Sequence, residues 1–287
     1  MTDSGSKAMG SLYDLLLDYV DTTREHGSNF AIAQTLVEHY AELGGMSQRE
    51  MAELCFVSQA SFSRFCRFLG FDGFAEFKEA IDGANYRLAD DFSRELMNRL
   101  DAGPSEALDL FRESILGTLM ATLRAEDLAA MPQILEAIDG AGRVVFFSHH
   151  FLWQIGRYFQ GKMMQLGKYV ELYQSYEHQR EAAASLMEGD VAIICSMNGS
   201  YFSHYHDIVR DIFDSGARVV TLTQNRHALY YNRADWVLPC GDSNANDAGK
   251  YAALMVIDYL VMRYIRLLAS KKGDAERAHE GSVRPSV

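Results

Sequence analysis

Residues 46–81 read MSQREMAELCFVSQASFSRFCRFLGFDGFAEFKEAI, and this stretch decides how the N-terminal part of the chain folds. Ser47-Gln48-Arg49-Glu50 has the form of a capping box: the serine hydroxyl accepts the Glu50 amide while the Glu50 carboxylate reaches back to Ser47. The short helix it opens, Gln48 to Leu54, stops at Cys55-Phe56-Val57. Ser58 then offers a second N-cap, for a helix that runs to Leu69 and is halted by Gly70. Two short helices joined by a turn of about three or four residues form a helix-turn-helix.

The second helix carries the specific signal. Phe62, Phe65, Cys66 and Leu69 recur at helical spacing and make an apolar face. The other side presents Gln59, Ser61, Ser63, Arg64 and Arg67. Between Ser58 and Gly70 there are two arginines and no acid, whereas residues 1–85 as a whole hold six basic and thirteen acidic residues. Positive charge is thus concentrated where a recognition helix would meet phosphates, and serine and glutamine near its start suit base edges. The expected DNA contacts are Ser58, Gln59, Ser61, Ser63, Arg64 and Arg67. Spacing alone leaves a plainer alternative open, a helical bundle whose polar face is merely solvated.

The residues Val57, Ser58, Ser61, Arg64, Phe65, Leu69, Gly70, Phe71, Gly73, Phe74, Phe77 and Lys78 form a nearly unbroken run. It resembles the signature of the N-terminal domain of RpiR-type transcriptional regulators. In that family a sugar isomerase (SIS) domain follows, a doubly wound parallel sheet that usually senses a phosphosugar.

Working outward, residues 11–82 contain no convincing strand. Phe30 to Leu43 reads as one helix ended by Gly44-Gly45, and residues 86–138 are again helical with breaks at Gly103-Pro104 and near Pro132. From Arg143 five short apolar runs appear: Arg143–Phe147, Lys168–Leu172, Asp190–Cys195, Ala217–Leu222 and Asp235–Pro239. Their lengths suit buried parallel strands, and the spacing between the first four leaves room for helices, so βαβ units are expected. A final helix from about Asp247 to Ala269 closes the pattern. The expected fold is α + α/β: an all-helical helix-turn-helix domain at 1–85, a helical linker at 86–106, a five-stranded doubly wound parallel-sheet SIS domain with helices on both faces at 107–270, and a disordered tail at 271–287.

The resemblance extends over roughly Leu12 to Ala269 and is clearest from Gly189 to Asn225, GDVAIICSMNGSYFSHYHDIVRDIFDSGARVVTLTQN. In open α/β sheets ligands bind outside the carboxyl ends of the strands. The family's first loop there is G-x-G-x-S; this chain has Ser148, His150 and Leu152 at those positions. The second loop, S-x-S-G-x-T, keeps Ser196 and Gly199 but carries Asn198 and Tyr201, with Ser200 one residue early. Thr223 retains the family's threonine, and a Ser-Arg pair before the last helix is Gly249-Lys250, which keeps a cation. The resemblance therefore implies a ligand set of Ser148, His149, His150, Ser196, Asn198, Gly199, Ser200, Tyr201, Thr223 and Lys250. Histidine in place of glycine adds bulk where backbone would approach a phosphate. The expected effector is a sugar phosphate or related carbohydrate metabolite in an atypical pocket.

His149, His150, His178, His204, His206 and His227 all follow strand ends. They read as surface or capping residues, as a site for an anion or polar ligand, or as a metal site; His204-x-His206 fits a metal without diagnosing one. Glu177-His178 could serve an isomerase as general base, and a SIS scaffold could also dimerise without sensing anything. A recognition helix favours a non-enzymatic regulator over both. Its partners would be an operator in double-stranded DNA, a small-molecule effector and a second copy or more of itself, with no cofactor, no metal and no membrane.

Composition bounds this reading. A length of 287 residues suggests two domains, and 48% hydrophobic with 23% charged residues is globular usage. A net charge of −12 excludes a generally basic coat for nucleic acid or membrane, but not one basic helix. Cys55, Cys66, Cys195 and Cys240 are scattered and expected to be reduced. The longest apolar run, Tyr251 to Met262, is interrupted by Asp258, and MTDSGSKAMG has no apolar run behind a basic start, so a cytoplasmic location is expected.

Overall fold

The computed structural model describes residues 12–24, 27–83, 92–228, 230–242 and 246–282. They fall into two compact units, one chiefly of residues up to 88 and one chiefly of residues from 89 onward. Residues 86–91 of the expected linker and 283–287 of the expected tail lie outside the described residues.

The first unit is helical: α1 (Leu12–Thr22), α2 (Ser28–Glu38), a 3₁₀ turn (Tyr40–Gly45), α3 (Gln48–Leu54), α4 (Gln59–Phe68) and α5 (Phe74–Gly83). The helix expected over Phe30–Leu43 ends early, at Glu38. The His39 amide still bonds to Thr35 O, but its ring nitrogen meets Glu42 Oε1 at 3.1 Å, which favours the tighter turn that follows. Phe62, Phe65 and Cys66 of α4 are buried together with Leu12, Leu16, Ile32, Leu36, Met51 and Phe77. Phe77 stands edge-on to both Phe62 (5.7 Å) and Phe71 (5.4 Å). Gly70, at φ +97°, lets the chain reverse after α4 so that the Phe71 amide bonds back to Cys66 O.

The second unit is built on five strands, β1 (Val144–Phe147), β2 (Glu171–Leu172), β3 (Val191–Cys195), β4 (Arg218–Thr223) and β5 (Trp236–Pro239). All pair in parallel in the order β2-β1-β3-β4-β5. Every residue of β1 and β3 is buried, as a sheet covered on both faces requires. The covering helices are α6 (Arg94–Ala102), α7 (Pro104–Met120), α8 (Met131–Gly140), α9 (Phe151–Gln165), α10 (Tyr176–Ala184), α11 (Ser200–His204), α12 (His206–Asp214) and α13 (Asn246–Ser282). At Gly156 of α9 a Cβ would stand 2.6 Å from the Phe146 ring, so glycine is what allows α9 to lie this close to β1.

Two expectations are corrected. The second strand has two residues rather than Lys168–Leu172, because the Lys168 ammonium is drawn aside to Asp139 O (3.0 Å) and Ala141 O (2.7 Å) at the end of α8. The last helix does not stop near Ala269 but continues to Ser282, through residues expected to be disordered; Lys271 holds it to α8 through Glu136 (2.7 Å) and Asp139 (2.8 Å). Among the described residues no helix is long and apolar enough to cross a membrane.

The strand order places a switch point between β1 and β3: the chain winds outward from β1 to β2, then returns to add β3 on β1's other side. The carboxyl ends of β1 and β3 flank the crevice where open sheets of this kind take ligands.

Candidate nucleic-acid interface and effector site

The capping box forms as its residues dictate, with the Ser47 amide donating to Glu50 Oε2 at 2.7 Å and the Glu50 amide donating to Ser47 Oγ at 3.4 Å. Ser58 caps α4 by accepting the Ser61 amide at 3.1 Å. From there a polar row climbs the helix: the Ser58 and Ser61 hydroxyls are 3.0 Å apart, and Arg64 Nη2 donates to Ser61 Oγ at 2.9 Å. Ser58, Gln59, Arg64 and Arg67 are exposed, and among the described residues no carboxylate forms an ion pair with either arginine. Ser63 differs from its five companions. It is half-buried and accepts Gln48 Nε2 at 2.9 Å, while the same amide donates to Gln59 O at 3.2 Å, so it ties α3 to α4. Sequence reasoning passed over Phe56, which occupies the turn at φ +54° with 96% of its surface exposed. A bulky residue there adopts a conformation that favours glycine.

In the second unit the loops after β1 and β3 meet. His149 is buried and its Nε2 lies 3.0 Å from Ser200 Oγ; Nδ1 has no hydrogen-bond partner among the described residues. Burial, reinforced by His150 and His204, pushes its pKa down to about 3, so the ring is neutral at physiological pH. Next to it Ser148 Oγ is also buried and has no partner among the described residues. His150 adopts φ +51° at the start of α9, its ring 4.6 Å from that of His149 and tilted by 46°.

The β3 loop satisfies its own amides. Asn198 Oδ1 accepts the Ser200 amide at 3.0 Å, and Ser196 Oγ accepts the Tyr201 amide at 3.1 Å. Gly199, at φ +87°, permits the turn between them. Tyr201 is fully buried; its hydroxyl donates to Gln179 Oε1 (2.8 Å), and Gln179 Nε2 donates to Ser148 O (3.0 Å). A residue absent from the sequence-based set, Gln179, therefore joins both loops from beneath. Thr223 uses its hydroxyl internally, donating to Met197 O at 3.2 Å and accepting the Asn225 amide at 3.0 Å.

Beside Thr223, Gln224 is buried, and its Nε2 has no partner among the described residues. A Cβ on Gly249 would overlap Gln224 Oε1, so glycine at this position makes room for the amide. Lys250 lies over the rings of Phe92 (5.3 Å) and Tyr251 (5.6 Å). Of the six strand-end histidines, His149, His150 and His204 come together, while His178 stands 6.0 Å from the Tyr173 ring and His206 and His227 are exposed. Among the described residues no group of three or more histidines, cysteines or carboxylates could hold a metal ion.

The chain thus joins a helix-turn-helix to a doubly wound parallel sheet. Residues 21–86 match the family model "Helix-turn-helix domain, rpiR family", so the chain carries that domain at its N-terminus. Among curated proteins no sequence matches the chain. The fold is similar to that of the Vibrio vulnificus NanR protein complexed with ManNAc-6P, at 17% identity and a TM-score of 0.50 over 95% of this chain and 98% of that one. The E. coli CFT073 protein c3406 aligns at 16% identity, TM-score 0.47, over 62% of this chain and 98% of that one. The sugar isomerase domain of the RpiR transcription factor from Sphaerobacter thermophilus aligns at 18%, TM-score 0.40, over 58% and 98%.

Proposed function

We propose that the chain is a DNA-binding transcriptional regulator, not an enzyme, whose SIS domain senses a small carbohydrate metabolite such as a sugar phosphate or a relative of one. In this reading residues 1–85 bind DNA, 86–106 connect, and 107–270 sense. The observation that carries it is the row Ser58, Gln59, Ser61, Arg64 and Arg67 on one side of α4, cationic and free of acids within an otherwise acidic region. Arginine there neutralises phosphate or reads guanine, and the hydroxyls and Gln59 face base edges. Ser63 belongs to the same proposed set through its position on α4, although its hydroxyl serves α3.

The fold shared with NanR, whose structure holds ManNAc-6P, supports a carbohydrate effector. The ligand set around the crevice is Ser148, His149, His150, Ser196, Asn198, Gly199, Ser200, Tyr201, Thr223 and Lys250. A homodimer fits because helix-turn-helix proteins read paired half-sites; Leu254, Met262 and Ile265, partly exposed at helical spacing along α13, suit a second copy. The effector acts by favouring one arrangement of the paired arms, which requires that it bind one state more tightly. Glu177 and His178, exposed at the start of α10, lack the enclosure that a general base beside a sugar carbonyl needs.

Selection of bound duplexes from a random library, followed by fluorescence anisotropy on the enriched sequence, tests the reading. A recoverable consensus whose affinity falls on Arg64→Ala is expected. Absence of any enriched sequence, or unchanged affinity over a salt series, would remove the DNA-binding assignment.

A further inference from the structure

We propose that the effector is held without a phosphate group, and that the crevice takes an uncharged molecule of the carbohydrate class through Ser148, His149 and Gln224. This rests on the reading of the sheet's carboxyl edge as an effector site and narrows its ligand.

A phosphate needs free amides, hydroxyls or cations directed at its oxygens. The β3 loop offers few. The amides of Ser200 and Tyr201 are already taken by Asn198 Oδ1 (3.0 Å) and Ser196 Oγ (3.1 Å), so the loop's own oxygens stand where anionic oxygens would. The cations nearest in sequence to the edge are engaged elsewhere: Arg226 pairs with Asp242 (3.5 Å), and Lys250 rests on the faces of Phe92 and Tyr251. The buried imidazole of His149 stays neutral down to about pH 3 and supplies no charge.

What the edge does offer is neutral. Ser148 Oγ, His149 Nδ1 and Gln224 Nε2 are buried and have no partner among the described residues. Buried polar groups are satisfied in the great majority of cases, so exceptions gathered at one edge of one sheet, where Gln174 Nε2 after β2 is a further one, call for a shared explanation. Ser148 and His149 follow β1, Gln224 follows β4, and β3 lies between. The set therefore spans about 10 Å, two strand spacings, with a hydroxyl, an imidazole nitrogen and a carboxamide N–H. Those groups complement hydroxyls and amides of a neutral polyhydroxylated molecule. The Gly249 position supports the same conclusion, since any side chain there would collide with the Gln224 amide.

The test uses the full chain and matched pairs of probes: hexoses and N-acetylhexosamines, each beside its 6-phosphate, and inorganic phosphate alone. Thermal melting screens the panel and calorimetry measures the hits. At least one unphosphorylated sugar is expected to bind about tenfold or more tightly than its 6-phosphate, with no protection by inorganic phosphate. Ser148→Ala and the volume-conserving Gln224→Met should each weaken that binding by about tenfold, while the unliganded variants melt no lower than the parent. Tighter binding of a 6-phosphate, protection by phosphate, or no binding by any member would overturn the proposal. Anisotropy on the selected DNA, run on the same preparations, separates the two readings: lost DNA binding defeats the regulator assignment, whereas retained DNA binding with a preferred 6-phosphate defeats only this one.

Discussion

His149 Nε2 lies 3.0 Å from Ser200 Oγ, which fastens the loop after β1 to the loop after β3 across the sheet's switch point. One ring nitrogen serves the protein and the other has no partner among the described residues. The same residue thus holds the crevice closed and leaves a polar atom within it. Its burial has consequences that can be measured without knowing the ligand.

Because burial lowers the His149 pKa from 6.5 to about 3, the unfolded chain takes up a proton that the folded chain refuses. Between those two values stability falls as pH falls, by up to about 1.4 kcal/mol per pH unit. From pH 7 to pH 5 this group alone is expected to remove about 2 kcal/mol. Urea unfolding of the parent and of His149→Gln should show a flatter profile in the variant. Parallel profiles would sink the assignment.

Arg67 is exposed in the last turn of α4 and among the described residues forms no ion pair. If it neutralises one phosphate, Arg67→Ala reduces the slope of log affinity against log salt by about 0.9. The loss should be nearly the same for cognate and scrambled duplexes, since a phosphate contact carries no sequence information. An unchanged slope places Arg67 away from the backbone.

Phe56 sits at φ +54° and is 96% exposed. The left-handed conformation costs a residue with a Cβ roughly 1–2 kcal/mol, against which glycine's extra freedom when unfolded weighs about 0.5–1 kcal/mol. Phe56→Gly is therefore expected to raise stability by about 0.5–1 kcal/mol in denaturant titration. A less stable variant would mean the ring supports the turn.

Gly249 and Gln224 occupy each other's space at the sheet edge. Gly249→Ser should destabilise by about 1–3 kcal/mol through overpacking, and Gln224→Ala in the same chain should recover at least about 0.5 kcal/mol of it. Strict additivity in this double-mutant cycle would show that the overlap relaxes elsewhere.

The helix-turn-helix was readable from sequence because its determinants are local: Ser47 with Glu50, Ser58 with Ser61, and the phenylalanines of α4 at helical spacing. The strands of the sheet were readable as apolar runs for a similar reason, since residues covered on both faces need no partner to betray them. What escaped was decided by distant partners. Lys168 leaves the strand pattern for carbonyls at the end of α8, and the last helix is prolonged by an ion pair with Glu136 and Asp139. The loop residues were placed on the correct edge by resemblance, yet nothing in their order revealed that Ser196 and Asn198 cap the loop themselves. Tyr201 also reaches Gln179 in the interior. Hydrogen bonds across so many residues have no signature in a single chain.

The shortness of β2 bears on how this chain behaves at high concentration. A parallel sheet ends in rows of unpaired backbone groups that can recruit a foreign strand, and short or covered edges blunt that risk. Here one border offers two residues, one of them Glu171, locked to the Arg143 guanidinium at 2.8 and 2.9 Å. The opposite border is met by Thr122, which bridges Cys240, and by the Leu123 amide on Pro239 O at 3.3 Å. Both margins of the sheet are thus finished within one molecule. Lengthening β2 by freeing Lys168 would reopen a border and invite fibrous growth.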